Sequence, residues 1–236
     1  MKIIIPTCDK YRNILEANKY SLDKFGGSEL DITVLGYKTL DFDLGNWKFI
    51  SLGEDTGAQN FSNDLIKFFN DFNDEYFIYG NDDCVVTTEF NNDFLDQIIK
   101  TIKEIPNFGR MWLTKTPSDF YGGSSCIKNF GNYNISEINQ NADYRLSLQY
   151  SIWKTSYFKK YLVQNINPWQ WETRDTAKYD NAAILLPVNN FVVALGHVME
   201  HGKLLKDWHK SIYGEAELNQ EDIKIIENIF NKHGIK

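Results

Sequence analysis

The chain has 236 residues, of which 42% are hydrophobic and 15% aromatic, and its formal net charge is −7. This length and composition suffice for one sizeable core and predict a single domain over residues 1–236. An acidic chain lacks the basic surface that long nucleic acids require, so a nucleic-acid partner is disfavoured, although a local basic groove for DNA stays open.

The cysteines Cys8, Cys84 and Cys126 are scattered and form no CxxC pair or Cys/His cluster. This pattern argues against a disulfide framework and favours a reducing compartment. The first residues, MKIIIPTCDKY, hold too short an apolar stretch for a signal peptide, and nothing approaches the ~18 apolar residues of a membrane span. The sequence therefore predicts a cytoplasmic protein without a membrane span.

The first part of the chain alternates predicted strands with predicted helices. Apolar, β-rich runs predict strands at residues 2–6, 31–37, 47–52 and 76–79. Apolar residues at the spacing of one helical face predict helices over residues 61–72 and 94–105. This alternation indicates an α/β fold, with a mostly parallel central sheet flanked by helices.

The second part is less regular. It predicts strands at residues 110–114, 144–153 and 187–194, a Gly/Asn-rich loop at 119–134, a short helix near 156–163 and a Gly/His/Lys-rich loop after 194. A closing helix is predicted from Gln220 to about Lys232, with Asn219 as its N-cap, Asp222 at its third position and Gly234 at its stop.

Two adjacent acids, Asp82 and Asp83, follow the fourth predicted strand. In parallel sheets, ligands bind at the carboxyl ends of the strands, where Thr7 and Tyr37 also fall. Adjacent carboxylates repel one another unless a cation or ribose hydroxyls satisfy them, and a divalent ion with oxygen ligands can also bridge to a diphosphate. A tight Asn-Asp-Asp turn without any ligand is the alternative.

The strand followed by Asn81-Asp82-Asp83 resembles the DxD-type motif of GT-A glycosyltransferases, in particular the family-2-like, small bacterial and phage type. The resemblance implies a Rossmann-like GT-A fold in which Asp83 binds Mn²⁺ or Mg²⁺ and Asp82 contacts the sugar donor. Asn81 stands where the family often has a third acid. The resemblance also divides the chain at about residue 83 into a nucleotide-sugar-binding half and an acceptor-binding half.

Other segments extend this resemblance over most of residues 1–203. The first strand, with Pro6 and Thr7 at its end, is similar to the family strand that holds the nucleotide base, and Tyr37 ends the next strand. Asn63 lies in a segment that corresponds to a helix start lining the donor site. Residues 144–153, followed by Asn167–Glu172 (NPWQWE), resemble an apolar-aromatic strand that leads to a Pro-Trp-x-x-Glu element.

Glu172 is the candidate catalytic base, at the predicted opening of a helix. Its apolar neighbours Trp169 and Trp171 would raise its pKa, and two indoles form a platform for a sugar ring. Glutamate is also common at helix starts because of the helix dipole, so a capping role is the alternative. Asp175, three residues on, shares the predicted helix face and is the second candidate.

His197 and His201 are spaced by four, but the residue after His197 is valine, which excludes the HExxH zinc pattern. The resemblance implies that a late histidine completes the metal site and a late basic residue meets the diphosphate. His197 and Lys203 fall near those places, and a surface loop with incidental histidines is the alternative. Arg145 and Arg174 are further phosphate candidates, or salt-bridge partners.

Aromatic residues concentrate in the irregular part of the chain, where an acceptor would bind. The candidates for stacking against a sugar are Trp112, Tyr121, Trp153, Trp169 and Trp171. Ordinary core packing is the alternative for the same residues.

The predicted activity is metal-dependent transfer of a sugar from a nucleoside-diphosphate sugar to a hydroxyl of a glycan or of a hydroxylated DNA base. Glu172 would act as base with inversion, and a retaining mechanism stays open if Glu172 is only a cap. A nucleotidyltransferase is a rival activity. Such an enzyme is expected to have a glycine-rich loop after the first strand, and the segment Thr7-Cys-Asp-Lys-Tyr11 contains no glycine, which counts against it. A non-catalytic protein that binds nucleotide sugar or glycan is the other rival.

Overall fold

The computed structural model describes residues 1–26, 30–115, 124–131, 133–212 and 216–236. Its strands are β1 Ile3–Pro6, β2 Ile32–Gly36, β3 Lys48–Ser51, β4 Tyr76–Tyr79, β5 Cys84–Val86, β6 Phe108–Trp112, β7 Ser124–Phe130, β8 Tyr133–Ile138, β9 Ser151–Lys154, β10 Ala183–Pro187, β11 Leu195–His197, β12 Met199–Glu200 and β13 Lys203–Leu204. Its helices are α1 Leu15–Phe25, α2 Phe61–Asn70, α3 Asn92–Glu104, α4 Thr155–Tyr161, α5 Pro168–Glu172 and α6 Gln220–Lys232. Within these described ranges, no helix is long and apolar enough to cross a membrane.

The fold is α/β, with a large, mostly parallel central sheet flanked by helices, as the sequence predicts. The chain forms two compact units. The terminal unit comprises residues 2–54, 81–91 and 193–236, and the central unit comprises residues 55–80 and 92–192 together with Met1. The two units thus interleave along the sequence, whereas the resemblance divides the chain once, at about residue 83.

Strands β1, β2 and β3 of the terminal unit are parallel neighbours, with Ile3 opposite Ile32 and Thr33 opposite Lys48. Ile3, Ile4 and Ile5 are fully buried. Successive strand residues point to opposite faces, so a continuous apolar run is typical of a strand covered on both sides. The prediction for these three strands is confirmed.

Helix α6 begins and ends as predicted. The Asn219 side chain accepts a hydrogen bond from the Asp222 N–H, and Gly234 has a φ of +66°, the left-handed conformation that ends a helix. The buried Asp222 carboxylate accepts hydrogen bonds from Tyr20 and Lys24 of α1. These contacts hold α6 against α1 in the terminal unit.

The sheet of the central unit has the strand order β4-β9-β6-β10-β8-β7. Four of its strands run in one direction, and β9 and β8 run in the other. Aromatic rings form much of the core beside it, with the Phe158 ring 4.7 Å from Phe69, 5.1 Å from Trp153 and 4.9 Å from Trp171 between centroids. The predicted helices near residues 61–72, 94–105 and 156–163 correspond to α2, α3 and α4.

Three predicted strands differ from the structure in their limits. The strand predicted at residues 144–153 begins only at Ser151, because Tyr144 has a φ of +55° and its carbonyl accepts a turn hydrogen bond from the Ser147 N–H. The strand predicted at 187–194 lies earlier, as β10, and ends at Pro187. The predicted strand at 110–114 is shifted by two residues, as β6.

Two predicted loops contain strands. The described residues of the predicted loop 119–134 form β7 and the start of β8, a hairpin that turns at Gly131 with a φ of +72°. Residues 119–123, including the stacking candidate Tyr121, lie outside the described residues. The loop predicted after residue 194 contains the short strands β11, β12 and β13.

Candidate functional site

The acid pair of the terminal unit lies immediately before β5. Strand β5 pairs antiparallel with β11, which places His197 opposite Cys84, the residue after Asp83. The Val198 N–H donates to the Asp83 carbonyl at 2.7 Å. The structure therefore brings the predicted metal ligands Asp83 and His197 together, although they are 114 residues apart in the sequence.

The side chains of this pair are in direct contact. His197 Nε2 lies 3.2 Å from Asp83 Oδ2, and both side chains are partly exposed, at 36% and 28%. The hydrogen bond with Asp83 raises the pKa of His197 above its ordinary value, against the opposing effect of partial burial. A carboxylate and an imidazole at this separation can bind one cation, or share a proton in its absence.

Asp82 has a different environment. Burial, followed by the charge of Asp83, raises the pKa of its carboxyl group, and hydrogen bonds from Thr7 and from the Cys8 N–H offset only part of that rise. Thr7 continues β1, and its N–H donates to the Leu35 carbonyl of β2 at 2.8 Å. The structure therefore brings Thr7 and Asp82 together, as the rule for parallel strands predicts.

Pro6 and Tyr37 lie at the same edge of the terminal sheet. Pro6 is opposite Leu35, and Tyr37 follows Gly36, where an added Cβ would lie 3.1 Å from Thr7 Cγ2. The Tyr37 carbonyl accepts a hydrogen bond from Ser51 at 3.0 Å, which ties the end of β2 to the end of β3. Three of the predicted donor contacts therefore share the carboxyl ends of β1 and β2.

Sequence reasoning missed two residues around this cluster. Burial, then the charges of Asp83, Cys8 and Asp82, raise the pKa of Tyr11, whose hydroxyl also contacts the backbone of Gly202. The ammonium group of Lys10 lies against Gly202 as well, since a Cβ added there would be 2.3 Å from its Nζ. Both lie within five residues of the end of β1, so their position after a predicted strand was the available signal. Lys203, the predicted phosphate contact, is exposed at the start of β13.

Glu172, in the central unit, ends a helix rather than opening one. Helix α5 begins at Pro168 and is capped by Asn167, whose side chain accepts from the Gln170 N–H while the Gln170 side chain accepts from the Asn167 N–H. The capping role proposed for Glu172 is therefore wrong. Its Oε1 instead accepts a hydrogen bond from the Leu148 N–H at 2.6 Å.

The expectation that Asp175 shares a helix face with Glu172 is also wrong. Asp175 begins a separate 3₁₀ helix, is 75% exposed and forms a salt bridge with Lys178. Asn63 lies in α2, where its amide bonds to Asn60 and to Asn165. Helix α2 starts at Phe61 after a short 3₁₀ turn, so the predicted helix start is present in this segment.

Several other candidates belong to the core of the central unit. Trp112, Trp153 and Trp171 are fully buried, so the proposal that they stack on an acceptor is wrong, whereas Trp169 is 63% exposed. Arg145 is 2% exposed and donates to three backbone carbonyl groups, which leaves it inside the fold. Arg174 is half-buried and donates to the Tyr161 carbonyl at 3.3 Å.

The residues of the terminal unit fit a divalent cation that is shared with a phosphate-bearing ligand. In the described part of the chain, neither Asp82 nor Asp83 has a salt bridge to lysine or arginine, and Asp83 contacts only His197 in this way. Nor do the described residues contain three or more His, Cys, Asp or Glu side chains grouped to hold a metal alone. Ions such as Mg²⁺ are commonly bound by one or two carboxylates together with substrate phosphates, which matches this incomplete set.

Neither a protein-family model nor a curated protein matches the chain. Among solved structures, it is similar to S. aureus TarS 1–349 in complex with UDP-GlcNAc, with 15% identity and a TM-score of 0.53 over 98% of this chain and 66% of that one. Another structure of S. aureus TarS 1–349 has 17% identity and a TM-score of 0.51 over 82% of this chain and 59% of that one. Galactosyltransferase LgtC in complex with donor and acceptor sugar analogues has 12% identity and a TM-score of 0.40, over 68% of this chain and 60% of that one.

The chain spans less than two thirds of the length of each of these three structures. At these identities, the similarity to TarS shows the fold alone, which is the GT-A-type α/β fold that the sequence predicts.

Proposed function

We propose that the chain is a metal-dependent glycosyltransferase, which moves a sugar from a nucleoside-diphosphate sugar to a hydroxyl group. The observation that carries this proposal is the convergence of Asp82, Asp83 and His197 in the terminal unit, where Thr7 at the carboxyl end of β1 contacts Asp82. The similar TarS structure contains UDP-GlcNAc, a sugar donor of this class.

The donor contacts follow from the chemistry of each side chain. Pro6, Thr7 and Tyr37 would receive the nucleoside, and Asp82 would accept hydrogen bonds from its ribose. Asp83 and His197 would hold Mn²⁺ or Mg²⁺, and the bound ion would supply Lewis-acid stabilisation of the departing diphosphate. Lys203 provides a further positive charge for the phosphates, and Asn63 is the proposed donor contact of the central unit.

Glu172 is the proposed base of the central unit. The acceptor hydroxyl attacks the anomeric carbon, the bond from that carbon to the diphosphate oxygen breaks, and the hydroxyl proton passes to Glu172, with inversion. The Leu148 N–H orients the Glu172 carboxylate through Oε1. If Glu172→Gln transfers sugar normally, Asp175 or a retaining mechanism replaces this role.

The acceptor is proposed to be a glycan, because the acidic chain is poorly suited to long nucleic acid. A hydroxylated DNA base is the second candidate acceptor, and the exposed Trp169 indole could stack on either ring. The rival activities are nucleotidyl transfer and binding of nucleotide sugar without catalysis.

The proposal is tested by binding and turnover of a panel of nucleoside-diphosphate sugars, with and without Mn²⁺. Wild-type protein is compared with the variants Asp83→Asn and His197→Gln. Asp207→Asn is the matched control, because the Asp207 side chain is 65% exposed and, among the described residues, forms a salt bridge only with Lys210. We expect metal-dependent binding of one nucleotide that the first two variants weaken and the control retains. Absence of nucleotide binding at any metal concentration would refute the transferase and leave the acids as a turn.

A second comparison separates the rivals. Glu172→Gln should bind the donor normally and lose transfer to acceptor. Release of pyrophosphate from a nucleoside triphosphate would identify a nucleotidyltransferase instead. Tight donor binding without turnover on any acceptor class would favour the non-catalytic protein.

A further inference from the structure

Asn18 of α1 connects the two ends of the turn that carries the acid pair. Its side chain is 2% exposed, and its Nδ2 donates to the carbonyl oxygens of Asn81 and Cys84, each at 2.8 Å. These residues stand immediately before Asp82 and immediately after Asp83. One buried amide group therefore fixes both ends of the acidic turn.

The oxygen of the Asn18 side-chain amide shows that this arrangement costs free energy of folding. Within the described chain, the buried Asn18 Oδ1 has no hydrogen-bond partner. Rotating the amide by half a turn would set Oδ1 against two carbonyl oxygens, so the orientation follows from the bonding pattern. A buried acceptor without a partner costs about 1–3 kcal/mol, and such groups in native structures call for an explanation.

A second polar contact of α1 provides an internal comparison. Ser21 Oγ donates to the Asn18 carbonyl at 2.9 Å and accepts from the Val86 N–H at 3.0 Å. It therefore holds the far end of β5 to the same helix, three residues beyond Asp83. Ser21 is bonded through both its donor and acceptor functions, and it does not contact the acidic turn.

We propose that Asn18 is a positioning residue for the cation and donor site, and that it acts by holding the Asn81 and Cys84 carbonyl groups. Adjacent carboxylates repel each other, so a turn without this support relaxes toward conformations that separate them. The two hydrogen bonds of Asn18 oppose that relaxation and keep Asp82 and Asp83 directed toward one ligand. This inference rests on the proposed function, since it assigns Asn18 to the same site.

The test compares Asn18→Leu, which keeps the number and branching of the side-chain heavy atoms and removes the donor, with Ser21→Ala. Urea unfolding measures the stability of each variant, and the electron paramagnetic resonance signal of free Mn²⁺, titrated with protein and UDP, measures cation binding. We expect both variants to lose stability. Mn²⁺–UDP binding should weaken about 10–100-fold in Asn18→Leu, the usual effect of losing a group that orients metal ligands, and stay within about twofold of wild type in Ser21→Ala.

A folded Asn18→Leu protein that binds Mn²⁺ and UDP as wild type does would overturn the inference and leave the proposed function intact. If Asn18→Leu does not fold, the side-chain amide resonances of Asn18 in wild-type protein decide the question, on titration with Mg²⁺ and UDP. A shift of these resonances at the concentrations that saturate binding supports the inference, and unchanged resonances refute it. Wild-type protein that binds no nucleotide of the donor panel, with or without Mn²⁺, would overturn both the function and the inference.

Discussion

Replacing Arg145 by methionine tests whether this arginine supports the fold or binds phosphate. Its guanidinium group donates to the carbonyl oxygens of Ala177 at 2.9 Å, Ala182 at 2.7 Å and Asn139 at 3.3 Å. It also lies 3.7 Å from the carboxylate of Asp180. A side chain that binds a phosphate ligand must be accessible from solvent, and Arg145, which is 2% exposed, is not.

The expected magnitude follows from these partners. Methionine fills the space of the aliphatic stem but leaves three carbonyl groups without this donor. It also removes one of two cations beside Asp180, which keeps Lys160 at 3.4 Å. Each hydrogen bond to a charged group contributes about 1.5–3 kcal/mol, but neighbouring losses overlap and water can reach some of the acceptors. Breaking a buried ion pair by removing one partner costs about 3–5 kcal/mol. Because Asp180 keeps its contacts with Lys160 and Tyr161, we expect Arg145→Met to lose about 3 kcal/mol of unfolding free energy, at the lower end of that range.

The assay is equilibrium urea unfolding followed by tryptophan fluorescence, since Trp153 and Trp171 are fully buried in the same unit. Arg174→Met is the matched control, because among the described residues the Arg174 guanidinium group has one hydrogen bond, to a carbonyl at 3.3 Å. This variant should lose less than about 1 kcal/mol. Mn²⁺–UDP binding is measured on the folded fraction of each variant. A loss below about 1 kcal/mol for Arg145→Met, accompanied by weakened UDP binding, would refute the reasoning and return Arg145 to the donor site.

Three other predictions concern charge and burial. Burial alone would raise the pKa of Asp222, but hydrogen bonds from Lys24 and Tyr20 outweigh burial and lower that pKa. The contribution of Asp222 to stability is therefore present above the ordinary aspartate pKa and is lost as pH falls through the lowered value. Asp222→Asn should lose roughly 1–3 kcal/mol at pH 7 and show a smaller decline in urea midpoint between pH 6 and pH 3. Burial and the charge of Asp83 raise the pKa of Asp82, so ionisation of Asp82 destabilises the ligand-free protein as pH rises toward neutrality. Asp82→Asn should therefore gain roughly 1–3 kcal/mol of unfolding free energy at pH 7 while donor binding weakens. A loss of stability in this variant would contradict the inferred cost of ionising Asp82. Trp171→Ala should cost about 3–5 kcal/mol and Trp169→Ala less than about 0.5 kcal/mol, because the first indole is fully buried and the second is 63% exposed.

Sequence patterns correctly predicted the helices and strands whose boundaries are set by residues adjacent in the sequence. The three isoleucines of β1 indicate a buried parallel strand, and Asn219, Asp222 and Gly234 mark the limits of α6. The capping box of Asn167 and Gln170 was equally readable, and it would have placed Glu172 at the end of α5. That error came from treating an acidic residue as a helix start without locating the cap.

Burial of aromatic residues was not predictable from composition. Trp169 and Trp171 are two residues apart, yet α5 directs one to solvent and the other into the core, where its Nε1 donates to the Leu146 carbonyl at 2.9 Å. Tyr144 shows the same limit for backbone conformation, because a φ of +55° is rare for tyrosine and no local pattern announces it.

The sequence suggested the acids of the candidate site, and the family resemblance suggested His197, but neither their spatial contact nor the support from Asn18 was predicted from local patterns. Asp82 and Asp83 follow a recognisable strand, but His197 reaches Asp83 only through the pairing of β5 with β11. Asn18 contacts Asn81 across 63 positions of sequence, and nothing within α1 distinguishes it from a polar surface residue. Long-range pairing decides both contacts, so a local reading of the sequence does not contain them.

The environments of Asp82 and Asn18 predict how ligand binding should change the stability of the protein. In the ligand-free terminal unit, burial and like charge oppose ionisation of Asp82, and Asn18 keeps a buried oxygen without a partner in the described chain. A cation bound with a diphosphate would remove the charge repulsion without requiring the turn to move. Ligand that binds only the folded state stabilises it by RT ln(1 + [L]/Kd), about 2.7 kcal/mol at a hundredfold excess over Kd. The same residues that make the ligand-free turn unfavourable therefore predict that Mn²⁺ and UDP together stabilise the protein more than either does alone.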